Sequence, residues 1–280
     1  MRKLSLEEIA KEEELHVQRI EQESQPKERF VKLTFLIATE GTQTEPNYFK
    51  ALKTELEKSN RFNIEISIEG KGKSTTALVG KVHRQIEFNN QEFDRVWVVF
   101  DRDEFPDFDE AIQQAAKHNI NCAWSNESFE LWLLLHFKDV STSTNRKDLC
   151  DLLETAIRNE LHKTAPNAFY DYSKSDKEIY EHVTKLGSET DALARVDALK
   201  NKFKESNVAP SAQNPCTHVD ELVFELRNPK WTAEKIKEEE RRIHKRQHKK
   251  GTKCYSKMTR LVFTVPTLNT KVLLEQRNIA

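Results

Sequence analysis

The sequence predicts an α/β fold, with a parallel sheet flanked by helices, an added helical region and a charged C-terminal tail. Three observations carry this. From Phe30 to His136, short apolar β-rich runs alternate with segments of helical periodicity, the pattern of parallel strands joined by helical crossovers. After His136 the strand-like runs stop while helical periodicity continues. The chain has only six glycines in 280 residues, too few for a loop-rich or all-β protein.

The elements follow in order. Residues 1–28 are rich in Glu, Lys, Arg and Gln, with a patchy apolar stripe, and read as a charged helical arm or frayed tail. "FVKLTFLIATEG" is a strand ending at Glu40-Gly41. "EPNYFKALKTELEKS" is a helix with Pro46 in its first turn and Tyr48, Leu52 and Leu56 at i+4 spacing. "FNIEISIEG" alternates apolar and polar residues, as a strand near a sheet edge does. "STTALVGKVHRQIEF" is a helix capped by Ser74 or Thr75. "RVWVVF" is the most apolar strand, followed by the helix "FDEAIQQAAKHN" and the strand "INCAWSN". "SFELWLLLHF" is an apolar helix of about ten residues by its Leu content and lack of alternation. Residues 145–162, 176–186 and 190–206 are helices, 209–217 a loop, and "HVDELVFELRN" a short amphipathic helix. Beyond Pro229 come a charged helix and a tail with one β-like piece, "RLVFTV". This divides the chain into an arm (1–28), a main domain (29–228, with its sheet core in 30–137 and a helical part in 138–228) and a basic helical extension (229–280).

Net charge is −1, so only local patches can argue for nucleic acid. No apolar run approaches the ~20 residues of a membrane span, and the N-terminus lacks the apolar core of a secretory signal. Four scattered cysteines without a C-x-x-C pair fit reduced thiols. The expectation is a cytoplasmic protein with no membrane partner.

Parallel α/β sheets place their ligand sites at the carboxyl ends of the strands. One strand here ends in Glu40, another in Asp101-Arg102-Asp103, and a third in Asn126-Glu127 with Glu130 three residues on. If these strands are neighbours, their carboxylates crowd one rim. Like charges at that distance drive protons onto one another unless a cation intervenes. Mg²⁺ suits such a rim, with Mn²⁺ as substitute, because it takes hard oxygen ligands and needs only one or two carboxylates. Asp101 and Asp103, at i and i+2 of an extended segment, point the same way.

The stretches "ATEGTQTEPNYFKAL", "VWVVFDRDEF", "SNESFELWLLLHF" and "CTHVDELVFEL" resemble the Toprim domain and, more closely, its RloB-like branch of bacterial anti-phage defence proteins, over roughly residues 30–228. The resemblance implies a metal-dependent nuclease. Glu40 would be its general acid or base, Asp101 and Asp103 its Mg²⁺ ligands, and Glu130 a ligand to a second metal with Glu127 beside it. It also implies an ATPase partner. The chain departs from the pattern at Glu127, where a proline is expected. Lys174 and Lys177, in "YDYSKSDKEIY", are candidates to offset developing phosphate charge.

Other motifs are weaker. "GKGKST" fails as a P-loop, because Ser67 stands where its first glycine is required, so no nucleotide cofactor is expected. Lys71 and Lys73 there read either as phosphate contacts or as a solvated turn. His244, His248, Cys216 and Cys254 lack zinc-site spacing. Residues 241–253 hold seven basic residues and no acid, among them Arg241, Arg242, Lys245, Arg246, Lys249 and Lys250. This run is the best local signal for nucleic acid, or a solvated helix end beside Glu238–Glu240. Trp132 to Leu135 are core, with His136 a hydrogen-bonded core or rim residue. DNA and RNA both stay open as substrates. Two rival readings remain: a Toprim enzyme acting on nucleotides, and a non-catalytic module that docks a partner.

Overall fold

The computed structural model describes residues 32–249 except 59–61, 69–73, 89–91, 103, 105 and 207. Side chains are also outside the description in 62–68, 243–244 and 246–249. The N-terminal arm, the "RLVFTV" piece and Cys254 therefore lie outside the described residues.

Five strands form one sheet: β1 (Leu33–Thr39), β2 (Phe62–Ile68), β3 (Arg95–Asp101), β4 (Asn121–Asn126) and β5 (Cys216–Thr217). Their order is β2-β1-β3-β4-β5, and the first four run parallel. β2 is an edge strand, as its alternation predicts. β3 lies in the middle, and all seven of its residues are buried. That placement explains its near-continuous apolar sequence, since a parallel strand covered on both faces has no solvent side.

Side-chain alternation sorts β3 between two layers. Val96, Val98 and Phe100 join Leu36 and Ala38 in a cluster with residues of α2 (Thr75–Phe88) and α3 (Phe108–Lys117). Phe100 and Phe108 meet edge to face at 5.4 Å. Burying each such side chain contributes about 1.5–3 kcal/mol; Phe100→Ala would cost about 3–5 kcal/mol. Trp97 faces the other way, where its indole N–H donates to Glu225 of α8 (Val219–Arg227) at 3.2 Å. On that side Tyr48 and Phe49 of α1 (Thr44–Glu57) pack with Phe129, beside α4 (Glu130–Leu135). Asp101, an odd-numbered residue like Trp97, belongs to this second layer.

The remaining helices are α5 (Arg146–Thr164), α6 (Ile179–Leu186), α7 (Glu189–Phe203) and α9 (Pro229–Lys249). The starts of α5 and α7 follow from capping: Asn145 accepts from the Asp148 amide at 2.9 Å and Ser188 from the Asp191 amide at 3.2 Å. Among the described residues no helix is long and apolar enough to cross a membrane.

Two expectations need correction. The apolar helix after β4 is six residues, not ten. Arg195 takes the Leu135 carbonyl at 2.6 Å and the Ser188 amide takes that of His136 at 2.9 Å, so the turn closes there. Strands also do not stop at His136. Within the 209–217 loop, Cys216–Thr217 pairs antiparallel with β4, pinned by the Ser125 and Thr217 hydroxyls at 2.8 Å. Two residues are too few to leave an alternation in the sequence.

Candidate functional site

The sheet order makes β1, β3 and β4 neighbours, so the three acidic strand ends share one rim. Glu40 follows β1; its amide donates to the Val99 carbonyl at 2.9 Å and its side chain is half-buried. Asp101 ends β3 opposite Ser125 and is buried. Glu130 opens α4 and is 1% exposed.

A further acid joins them that the sequence alone did not single out. Glu45 lies buried in the first turn of α1, whose dipole favours a negative charge there. Its carboxylate folds back over Gly41, where a β-carbon would stand 2.2 Å from Glu45 Oε2. Only glycine leaves that room. In "EGTQTEP" the spacing of Glu40, Gly41 and Glu45 was visible, but a first-turn Glu is ordinarily a dipole partner facing water, and nothing local says otherwise.

Two cations oppose these acids. Arg146, the first residue of α5, brings Nη2 to 3.6 Å from Asp101 Oδ2. Lys174 brings Nζ to 3.7 Å from Glu130 Oε1. Both distances exceed the ~2.7–2.9 Å of a charge-assisted hydrogen bond. Glu130 Oε1 accepts instead from the Tyr172 hydroxyl at 2.9 Å, and Glu130 Oε2 is buried with no hydrogen-bond partner. Burial pushes the Asp101 carboxyl well above the usual carboxylate range, and Glu45 and Glu130 push it further than Arg146 and Lys174 restore. Burial likewise raises Glu45; its own backbone amide works against this, and Glu130 adds to it. Burial, then the Glu130 charge, push the Tyr172 phenol up, so it stays a proton donor.

Of the other predicted residues, Glu127 spends one oxygen as a cap: its Oε2 accepts from the Arg146 amide at 2.8 Å, at the N-terminus of α5. The Asn126–Glu127 peptide bond is cis. Lys177 is exposed and makes no ion pair with a described residue. Asp103, Lys71, Lys73 and Lys250 lie outside the described residues, as do the side chains of Arg246 and Lys249. Arg241, Arg242 and Lys245 are exposed on α9, where Arg242 pairs with Glu238 at 2.6 Å. His136 is buried; its Nδ1 donates to the Trp132 carbonyl at 3.0 Å, and burial lowers its pKa to about 4, leaving it a neutral core residue.

A divalent cation would find one or two carboxylates here rather than a full set of protein ligands. Among the described residues no group of His, Cys, Asp and Glu side chains forms a ready-made three-ligand cage. Mg²⁺ does not need one, because one or two carboxylates suffice when water and phosphate oxygens complete the shell. Despite Arg146 and Lys174, burial and the neighbouring acids drive a proton onto Asp101, and Glu130 Oε2 stays buried with no hydrogen-bond partner among the described residues.

The RloB-like protein family matches residues 35–226, well over half of the chain. The chain belongs to that family. The match runs from β1 nearly to the end of α8, so in this RloB-like protein the whole acidic rim and Tyr172 lie inside it, and α9 lies beyond it. Neither a curated protein nor a solved structure matches.

Proposed function

We propose that this RloB-like protein is a Toprim-type, Mg²⁺-dependent phosphodiesterase that cleaves nucleic acid, acting as the effector of an anti-phage system beside an ATPase partner. One observation carries the reading. Three carboxylates from separate segments, Glu45, Asp101 and Glu130, gather at the carboxyl end of β3, where burial first, and then Glu45 and Glu130, push the Asp101 carboxyl well above its usual range. Buried groups so perturbed cluster at functional sites.

Asp101 and Glu45, with Asp103, would hold Mg²⁺ or Mn²⁺, and Glu130 would offer Oε2 to a second ion. When bound, the metal supplies an acidified water and steadies charge on the leaving oxygen. The side chains do the rest. Glu40, half-buried at the rim, is open to water and moves a proton at its carboxylate. Arg146 and Lys174 lie within reach of a phosphate at the same rim and orient it.

The test uses the purified full chain with DNA, RNA, tRNA and nucleoside triphosphates, with and without Mg²⁺ or Mn²⁺. Metal-dependent cutting of a polymer is expected. Asp101→Asn with Asp103→Asn should lower it about 10²-fold or more, the scale of losing one charge-stabilising group, while the circular dichroism spectrum is kept. A new phosphodiester bond made from triphosphates, with no polymer cut, would move the assignment to nucleotidyl transfer. Cutting that survives the double change would remove the acids from the chemistry.

A further inference from the structure

The segment between α5 and α6, residues 165–178, brings Tyr172 and Lys174 to Glu130 of the acidic rim and is held on both flanks. From α5, Arg158 Nη2 donates to the Tyr170 carbonyl at 3.0 Å, and Glu154 Oε2 accepts from the Tyr172 amide at 3.0 Å. From α1, Thr44 Oγ1 donates to the Lys174 carbonyl at 3.3 Å and Asn47 Nδ2 to the Asp176 carbonyl at 3.0 Å. The backbone is thus fixed just before, at and just after Tyr172. Thr44 and Asn47 belong to "EGTQTEPNYF", in which the proposed chemistry uses only the acids; these polar side chains anchor the strap.

The strap delivers one group to the buried acid. The Tyr172 hydroxyl donates to Glu130 Oε1 at 2.9 Å, whereas the Lys174 ammonium stays at 3.7 Å. Glu130 is 1% exposed and its other oxygen, Oε2, has no hydrogen-bond partner. A neutral phenol adds no charge to the rim. It fixes the rotation of the carboxylate, so that one oxygen is occupied and the other is left bare. Outer donors of this kind orient the carboxylates that hold metal ions.

We propose that Tyr172 is a positioning residue that presents Glu130 Oε2 to a divalent cation, with Thr44, Asn47 and Glu154 holding the strap that carries it. This rests on the metal-dependent reading of the same rim. The geometric part, that Tyr172 sets the rotation of Glu130, can be judged without any metal.

The experiment titrates Mn²⁺ into the full-length protein by calorimetry, for wild type, Tyr172→Phe, Glu130→Gln and the double variant. Tyr172→Phe should weaken Mn²⁺ about tenfold, at the lower end of what outer-shell changes do. In the Glu130→Gln background the same change should have no further effect, because Tyr172 acts through Glu130. Unchanged affinity in Tyr172→Phe, or an equal loss in both backgrounds, overturns the assignment. A crystal structure of Tyr172→Phe should show the Glu130 carboxylate rotated. An unmoved carboxylate overturns the proposal whether or not the protein takes Mn²⁺. Wild type that takes no Mn²⁺, with Glu130 rotated in the variant, defeats the metal reading of the rim and Tyr172's part in presenting Oε2 to it.

Discussion

At its first residue β3 buries Arg95 and at its last it buries Asp101, so one strand carries a buried ionisable group at each end. Around Arg95 the signs alternate. Its Nη1 meets Glu239 at 2.7 Å and its Nε faces Glu225 at 3.2 Å, while Lys235 closes on the other oxygen of Glu225 at 2.9 Å. Burial alone would lower the Arg95 pKa, yet Glu225 and Glu239 raise it, so at Arg95 the pairing outweighs the desolvation, while at Glu239 burial still holds the carboxyl above its ordinary value. Around Asp101 the acids Glu45 and Glu130 add to the burial, and the cations stand off at 3.6 and 3.7 Å. The first end is a weld joining α8 and α9 to the sheet. The second is an unbalanced site that a positive ligand would complete. Burial of charge alone therefore says little about role; the sign and closeness of the neighbours decide it.

The largest effect should come from breaking the weld. Arg95→Ala takes a cation from Glu225, 1% exposed, leaving it Lys235 and the Trp97 N–H beside the like charge of Glu239. Removing one partner of a buried pair typically costs about 3–5 kcal/mol, which urea unfolding would register as a lower midpoint. An unchanged midpoint would mean that the alternating charges at this end do not hold the helices down, and the contrast with Asp101 would lose half its content.

Asp101→Asn should act with the opposite sign. The folded protein holds a proton on Asp101 that the unfolded chain releases above the ordinary aspartate value of 3.8. Between that value and the raised one, the native state binds more protons, so stability falls as pH rises. Glu45 adds a similar slope above 4.5. Urea midpoints of metal-free protein across this range should fall with rising pH, and Asp101→Asn should flatten the fall and stabilise the protein near neutrality. By the same linkage Mn²⁺ affinity should rise with pH, because binding releases these protons. Equal slopes in both proteins would show that Asp101 is not under like-charge pressure.

The weld and the rim were not equally legible in the sequence. The apolar run of β3 and its terminal acids were plain, because central parallel strands have no polar face and ligand sites gather at strand ends. Glu130 could be named from its spacing after β4. Glu45 could not, because a first-turn Glu ordinarily faces water, and the room that Gly41 leaves for its carboxylate shows only in the folded chain. Tyr172 sits in a polar loop with no periodicity to point it anywhere. The weld was hidden for a related reason. Helical patterning sends the charges of "HVDELVFELR" to solvent, yet Asp220 and Glu225 are buried, because Lys200 meets the first at 2.8 Å and Arg95 and Lys235 meet the second. Long-range pairing overrides amphipathic pattern, and one sequence does not display it.

Gly41→Ala tests the rim with little effect on the fold. Its new methyl group would stand 2.2 Å from Glu45 Oε2, so the carboxylate must swing away, which a flexible side chain can do. Stability should move by no more than about 1 kcal/mol, within the ordinary range for a substitution that leaves the core intact. Mn²⁺ affinity should drop in the same titration, and retained affinity would remove Glu45 from the site.

The smallest effect belongs to α9, where charge is paired in full solvent. Arg242 meets Glu238 at 2.6 Å with both side chains more than 60% exposed. Such a pair contributes about 0–1 kcal/mol, so Arg242→Ala should shift the urea midpoint barely or not at all, in contrast with Arg95→Ala. If the basic run holds nucleic acid, the change should show elsewhere. Deleting a side chain that neutralises one phosphate lowers the slope of log affinity against log salt by about one. A filter-binding series over salt reads that slope directly. A slope equal to that of the wild type would assign Arg242 to solvent and leave phosphate binding to the rest of the run or to the rim.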